Sequence, residues 1–347
     1  MPTDVKTLLA AFPRLPVALL PTPLHPLRRL QAALGPHAPR LLIKRDDLTG
    51  LALGGNKARK LDFLFADARR QGADTLLTCG AAQSNHALQT AAAAHKFDFA
   101  VRCILDGPPP AHDAPVTGNL LLHSWLQTPI RWTEMLPGET RREQARRRTQ
   151  AEEMERVRAE GGVPYSIPTG GSTPLGALGY VWAMQEAKAQ LDALSLGEVT
   201  AIFFASGSGG THAGMVVGAV LLEWRARLVG VEVDPIPPDA AGVSPFHRAV
   251  HNLANETAAL LGQPNGLPAE AIELCPDYAG TAYGVPTPEG EEAIRLLART
   301  EGIFCDPVYS GKALSALIGE IRKGRFRPDD TVLFWHTGGV AGLFAAH

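Results

Sequence analysis

Residues 199–214 read Val199-Thr200-Ala201-Ile202-Phe203-Phe204-Ala205-Ser206-Gly207-Ser208-Gly209-Gly210-Thr211-His212-Ala213-Gly214. The uncharged run Val199–Ala205, bounded by turn residues, has the texture of a strand buried on both faces, as in a parallel sheet. A turn rich in glycine and hydroxyl groups follows, then an apolar helix over Met215–Trp224 and a further strand at Leu228–Val233. Strand, polar turn, helix, strand is the βαβ unit, and it predicts an α/β fold. The same unit recurs upstream. Thr75–Cys79 reads as a buried strand, Gly80 and the turn Ala81–His86 follow, an Ala-rich helix runs to His95, and Phe99–Leu105 is the next strand.

Working outward, a short helix is expected near Leu27–Leu34 and a short strand at Arg40–Lys44. A helix is predicted from Ala58 to Gln71, ended by Gly72, and others to about Leu194 and near Pro245–Leu261 and Glu289–Thr300, before a strand at Thr331–Trp335. Asp106 to Gly118 reads as a long loop. The stretch Glu139–Glu160 carries seven arginines and six glutamates. Interleaved signs read as a solvated helix with i,i+4 pairs rather than a phosphate-binding strip.

The chain has 347 residues, enough for two domains, and its formal charge of −2 offers no global attraction for nucleic acid or an anionic membrane. Hydrophobic content of 45% and charged content of 20% are those of a soluble globular protein. The four cysteines (Cys79, Cys103, Cys275, Cys305) lack C-x-x-C spacing, and three lie in or beside apolar runs, where reduced core thiols are expected. Prolines at 13, 16, 21, 23 and 26 interrupt any N-terminal apolar stretch. A cytoplasmic protein with neither a membrane span nor a metal site is the expectation.

Glycines in the 206–211 turn allow close approach of backbone N–H groups to an anion, and the following helix adds its dipole; the turn is built for a phosphate. Walker A spacing is absent. A dinucleotide site is the competitor, since Glu232 ends the next strand where a ribose-binding acid could stand. However, its fingerprint requires a third glycine where His212 stands, so a lone phosphate monoester fits better. A second loop, Gly54-Gly55-Asn56-Lys57, runs into a helical pattern and puts Lys57 in the first turn, where the helix dipole opposes a positive charge. A neutral lysine is a nucleophile that forms Schiff bases with aldehydes. A phosphate cup and an activated lysine together suggest pyridoxal 5'-phosphate.

The chain resembles the pyridoxal-phosphate enzymes of the tryptophan synthase β fold, and among them the D-cysteine desulfhydrase and aminocyclopropane-carboxylate (ACC) deaminase branch. The resemblance rests on Ile43-Lys44-Arg45-Asp46-Asp47, Gly54-Gly55-Asn56-Lys57, Gln83-Ser84-Asn85-His86, Pro168-Thr169-Gly170-Gly171 and Ser206–Gly214. It continues through Tyr283-Gly284-Val285-Pro286, Asp306-Pro307-Val308-Tyr309 and Thr337-Gly338-Gly339. It implies two open, twisted, mostly parallel sheet domains flanked by helices, the larger from 1–59 plus 166–347 and the smaller from 60–165, with the active site between them. It also implies a homodimer.

For the site, the resemblance implies Lys57 as the Schiff-base lysine with Asn56 beside it. Gly207, Ser208, Gly209, Gly210 and Thr211 would bind phosphate, Asn85 would lie beside the ring, and Thr337 would stand near its nitrogen. Ser84, Asn85 and His86 would meet the substrate, with Ser84 near its carboxylate or acting on a proton, and Tyr283 and Tyr309 would flank it. The implied reaction is β-elimination from a small amino acid, foremost D-cysteine, giving pyruvate, ammonia and hydrogen sulfide. L-cysteate sulfo-lysis and ACC deamination are the alternatives, and a nicotinamide-dependent oxidoreductase is a distant one. Two positions depart from the relatives. Ser310 stands where ACC deaminases carry glutamate, and Leu88 stands where an arginine is common, which removes a surface or substrate-side charge.

Overall fold

The computed structural model of the chain describes residues 5–136, 142–263 and 266–345. Helices and strands alternate as far as α10: α1 (Val5–Ala10), β1 (Leu24–Pro26), α2 (Arg28–Ala33), β2 (Arg40–Arg45), α3 (Lys57–Arg70), β3 (Thr75–Gly80), α4 (Asn85–Lys96) and β4 (Ala100–Asp106). Then come α5 (Gly118–Trp125), β5 (Ile130–Thr133), α6 (Arg142–Ala159), β6 (Pro164–Ile167), α7 (Pro174–Ala193), β7 (Ala201–Ser206) and α8 (Gly210–Leu221). The rest is β8 (Arg227–Glu232), α9 (Pro245–Leu260), β9 (Glu273–Cys275), α10 (Pro288–Glu301), α11 (Ser310–Arg322) and β10 (Thr331–His336).

The strands build two sheets, ordered β1-β2-β10-β7-β8-β9 and β5-β4-β3-β6. β1 runs antiparallel to β2 and every other pairing is parallel. The apolar runs of the central strands follow from coverage on both faces, because successive side chains point to opposite sides. In β7, Ile202 and Phe204 join Tyr180, Met184 and Met215 from α7 and α8, while Phe203 joins Leu314 and Leu317 from α11. β10 repeats the division, with Leu333 and Trp335 on one face and Val332 and Phe334 on the other. In the smaller sheet, α3 and α4 cover one face and Val157 of α6 packs on the other against Leu77, Cys79 and Ile104.

Helix α3 belongs to both cores. Phe63 packs with the large-sheet cluster, and Leu61, Leu64 and Phe65 pack with the small-sheet cluster. The expected boundaries at 59/60 and 165/166 therefore fall inside elements. β6 pairs with β3 from Pro164↔Thr75 to Ile167↔Thr78, which carries the smaller sheet through Ile167.

The Arg/Glu-rich stretch is a helix, but not an all-round solvated one. Residues 139–141 of the expected span lie outside the described residues; from Arg142 on, α6 buries Ala145, Thr149, Gln150, Glu153 and Val157 on one face. Those residues recur at helical spacing, and the long charged side chains between them masked the stripe. Leu88 is 1% exposed inside α4, so an uncharged residue there fills the core and removes no surface charge. Helix α11 was not foreseen because Gly311 and Gly319 dilute its pattern. A Cβ at 319 would lie 2.1 Å from the Tyr278 hydroxyl, so a tertiary contact dictates that glycine.

Candidate active site

Parallel strands deliver their C-terminal ends to one place, and ligands of open α/β sheets bind outside those ends. Here β3, β6, β7, β8 and β10 end at Gly80, Ile167, Ser206, Glu232 and His336, and the segments that follow them line one cleft of about 650 Å³. Lys57, Asn56, Ser84, Asn85, His86, Gly207, Ser208, Gly209, Thr211, Tyr283, Tyr309 and Thr337 all face it.

The loop after β7 leads into α8, whose N-cap is Gly209 at φ +84° with no side-chain cap. Left-handed backbone there suits glycine. The first-turn N–H groups of α8, without partners inside the helix, thus open on the cleft. Hydroxyls surround them. Ser172 Oγ donates to Ser208 Oγ at 2.9 Å and accepts from Gly210 N at 3.1 Å, and Asn56 Nδ2 donates to Thr211 Oγ1 at 2.9 Å. Gly170 permits this closeness, for a Cβ at that position would lie 2.0 Å from Ser208 Oγ.

Lys57 is the first residue of α3, and its Nζ donates to Asn56 Oδ1 at 2.8 Å. Desolvation lowers its ammonium to about 8, partly opposed by the Asp306 carboxylate. Loss of water, which disfavours the charged form, is the main cause. Ser84 caps α4 by accepting from Ala87 N at 3.2 Å, leaving the first N–H groups of that helix free of helical partners. Asn85 Oδ1 accepts from Asn119 Nδ2 at 2.8 Å. His86 lies deeper, with Nε2 2.8 Å from Thr78 Oγ1, and burial holds it neutral well below the usual histidine range.

Tyr283 and Tyr309 share a hydroxyl–hydroxyl hydrogen bond, their rings edge-on with centroids 6.0 Å apart. Burial raises both phenols, so both stay protonated at neutral pH. Asp306 fixes the backbone around Tyr309, accepting from Val308 N at 2.9 Å, Tyr309 N at 2.8 Å and Ser310 N at 2.8 Å. Thr337 follows β10 and accepts from Asn56 N through its carbonyl at 2.9 Å.

The sequence matches the family described as "Pyridoxal-phosphate dependent enzyme" over residues 16–338. The chain belongs to that family. A solved structure described as "Crystal Structure Analysis of the ACC deaminase homologue" is similar, with 36% identity, a TM-score of 0.85, and coverage of 99% of this chain and 97% of that one. The two-sheet pyridoxal-phosphate fold and the ACC deaminase-like branch of the family are therefore established for this chain.

The residues present fit a pyridoxal phosphate, and Lys60 supplies the strongest sign. This lysine is 1% exposed, its Nζ donates to Gly170 O at 3.0 Å, and no carboxylate among the described residues pairs with it. Burial and the neighbouring Lys57 push its ammonium well below the usual range. A Cβ on Gly210 would lie 2.9 Å from that Nζ, which sets the cation directly behind the glycine loop. A buried cation without a counter-anion is costly. A phosphate dianion in the cup supplies what the site lacks. Lys60→Gln is expected to weaken pyridoxal-phosphate binding by about 30-fold, roughly 2 kcal/mol, measured by equilibrium dialysis. Unchanged affinity would remove Lys60 from the cup.

The pyridoxal-phosphate family's glycine loop was readable in the sequence, but Lys60, Ser172, Asn119 and Arg146 were not singled out. Lys60 had one usable signal, since lysines three apart on a helix repel unless an anion lies between them. Glu232, the acid of the dinucleotide alternative, is buried and lies outside the cleft. No helix among the described residues is long and apolar enough to cross a membrane.

Proposed function

We propose that this pyridoxal-phosphate enzyme is a carbon–sulfur lyase that performs β-elimination on a small amino acid, with D-cysteine the leading substrate. The pair of protonated tyrosine hydroxyls in the same cleft as Lys57 carries this reading. Lys57 would hold the cofactor through its amine, and the residues from Gly207 to Thr211, with Ser172 and Lys60, would hold its phosphate. Asn56, Asn85 and Thr337 would border the ring. When bound, the cofactor withdraws electrons from the substrate Cα and acidifies its C–H bond.

The chain's own groups then divide the work. Lys57 Nζ, with its lowered affinity for protons, accepts the α-proton once the substrate amine has taken its place. Ser84, Asn85, His86 and the N-terminal N–H groups of α4 receive the substrate carboxylate. The Tyr283–Tyr309 pair presents an O–H to the departing sulfur, and raised phenol pKa values keep that proton in place. Overall, D-cysteine and water give pyruvate, ammonia and hydrogen sulfide.

Ser310 supports elimination over ring opening. Its Oγ donates to Asp306 Oδ1 at 2.6 Å in a fully buried position. Glutamate there would bury a second carboxylate against Asp306, an expensive like-charge contact. The test is product release from the purified holoenzyme supplied with D-cysteine, L-cysteate or ACC. Pyruvate with sulfide from D-cysteine is expected, and 2-oxobutanoate from ACC with no pyruvate from either sulfur substrate would overturn the reading. Tyr309→Phe is expected to slow D-cysteine elimination by about 100-fold while β-chloroalanine, whose leaving group needs no proton, keeps most of its rate. Equal slowing of both substrates would show that Tyr309 does not protonate the leaving group.

A further inference from the structure

Asn85, the first residue of α4, lines the cleft, and its carboxamide could present either N–H donors or a carbonyl acceptor. The two orientations have one shape and attract opposite partners. Asn119, the second residue of α5, decides between them. It is 1% exposed and does not itself line the cleft. Its Nδ2 donates to the backbone carbonyl of Gln83 at 2.8 Å and to Asn85 Oδ1 at 2.8 Å. A backbone carbonyl can only accept, so the Gln83 carbonyl forces the NH2 of Asn119 to that side. The second N–H of Asn119 then takes the oxygen of Asn85. The NH2 of Asn85 is left over, without a hydrogen-bond partner among the described residues, and Gly339 makes room for it: a Cβ there would lie 3.1 Å from Asn85 Nδ2. The carbonyl oxygen of Asn119 is buried with no partner, a destabilising arrangement, so the two donors are what this side chain contributes.

Gln83 holds Asn119 in turn. Its Oε1 accepts from Asn119 N at 2.7 Å and its Nε2 donates to the Thr117 carbonyl at 3.1 Å. A Cβ on Gly118, at φ +57°, would lie 2.6 Å from that Oε1, so this close approach depends on glycine. The turn before α4 and the start of α5 thereby fix one another, and the amide of Asn85 is oriented before any ligand arrives, which removes an ordering cost from binding.

We propose that Asn119 is a positioning residue that turns the Asn85 amide so that its N–H donors face the cleft, where they receive an anionic oxygen. Two ligands of the cleft carry such an oxygen: the cofactor, on its ring, and the amino acid, in its carboxylate. The proposal rests on the proposed placing of Asn85 beside these ligands and is independent of the elimination step.

The experiment is a double-mutant cycle of Asn119→Ala and Asn85→Ala with two binding readouts. One is the affinity of the cofactor-free protein for pyridoxal phosphate, by equilibrium dialysis. The other is the affinity of the holoenzyme for alanine, by titration of the visible cofactor band. Asn119→Ala is expected to weaken one or both by about tenfold when Asn85 is present, and by no more than about twofold in the Asn85→Ala background. Coupling in the dialysis assigns the oxygen to the cofactor, and coupling in the alanine titration alone assigns it to the carboxylate. Equal losses in both backgrounds, the result of a purely structural role, overturn the proposal, as does coupling in neither readout. Asn119→Asp replaces the donors by acceptors and turns the Asn85 amide over, so it is expected to weaken the coupled ligand more than Asn119→Ala does; wild-type affinity in that variant also overturns the proposal. Urea unfolding of each holoenzyme checks that it is folded, and Asn119→Ser, which keeps a donor, takes the place of the alanine variant if that one is not. Neither readout uses product release, so a failure of the elimination reading leaves this test intact.

Discussion

Replacing Lys57 by alanine is expected to cut product release at least about a thousandfold and to abolish the visible band of the covalently attached cofactor. Lys57 unites three properties that no other side chain in the cleft combines. It is a primary amine facing the cleft, desolvation lowers its ammonium to about 8, and Asn56 orients its Nζ at 2.8 Å. Asn56 in turn donates to Thr211 Oγ1 at 2.9 Å, which links the amine to the start of α8. The glycine loop is untouched by the substitution, so Lys57→Ala protein should still bind pyridoxal phosphate in dialysis, with the absorbance of the free aldehyde in place of the Schiff-base band. Borohydride treatment of the wild type should leave the cofactor mass on the peptide containing Lys57. A coloured, active Lys57→Ala enzyme would falsify the assignment.

Arg59→Met is expected to destabilise the protein by about 3–5 kcal/mol, read from urea unfolding of the holoenzyme. Arg59 is 1% exposed and meets Asp46 through Nη2 at 2.7 Å and Glu186 through Nη2 at 2.9 Å. Lys44 Nζ completes the group at 2.5 Å from Glu186, while Tyr180 and Trp335 donate to Asp46 Oδ2 at 2.6 and 2.8 Å. Two cations and two anions balance, so removal of one cation strands a buried carboxylate. Burial pushes the carboxyls of Asp46 and Glu186 up, but Arg59 and Lys44 together, with the Tyr180 hydrogen bond at Asp46, hold both below their usual range. Their contribution is therefore in place above about pH 4 and is lost as the pH falls through the folded-state values. Arg322→Ala removes an exposed partner of Glu292 and should change stability by no more than about 0.5 kcal/mol. Similar losses from both variants would show that the buried network is no stronger than a surface pair.

These two expectations differ in how far the sequence alone supports them. Lys57 stood out because a lysine directly after Gly-Gly-Asn, at a helix start, conflicts with local electrostatics, and local conflicts mark functional sites. The glycine loop stood out for the same reason, since its three glycines exceed what a tight turn needs. Arg59 and Lys60 carried no comparable signal. Both sit on a helix where a positive charge ordinarily faces water, and only the packing of α3 between the two cores turns them inward. Arg146 was misplaced on a solvated face for a related reason: its partner Asp106 lies 40 residues upstream, at the end of another strand.

Local chemistry was readable from the order of residues. Backbone periodicity and turn residues set the strands β3, β4, β7, β8 and β10 and the helices beside them, because side-chain alternation and glycine φ preferences act over a few residues. The glycine loop after β7 and the lysine at the start of α3 were legible for that reason. Long-range packing settled which charges are buried, which of them have partners, and which strand ends meet. Those outcomes depend on contacts between residues far apart in the chain, such as Trp335 with Asp46 or Arg59 with Glu186. A charged side chain's role follows from its partner and its access to water, and neither is a property of the sequence around it.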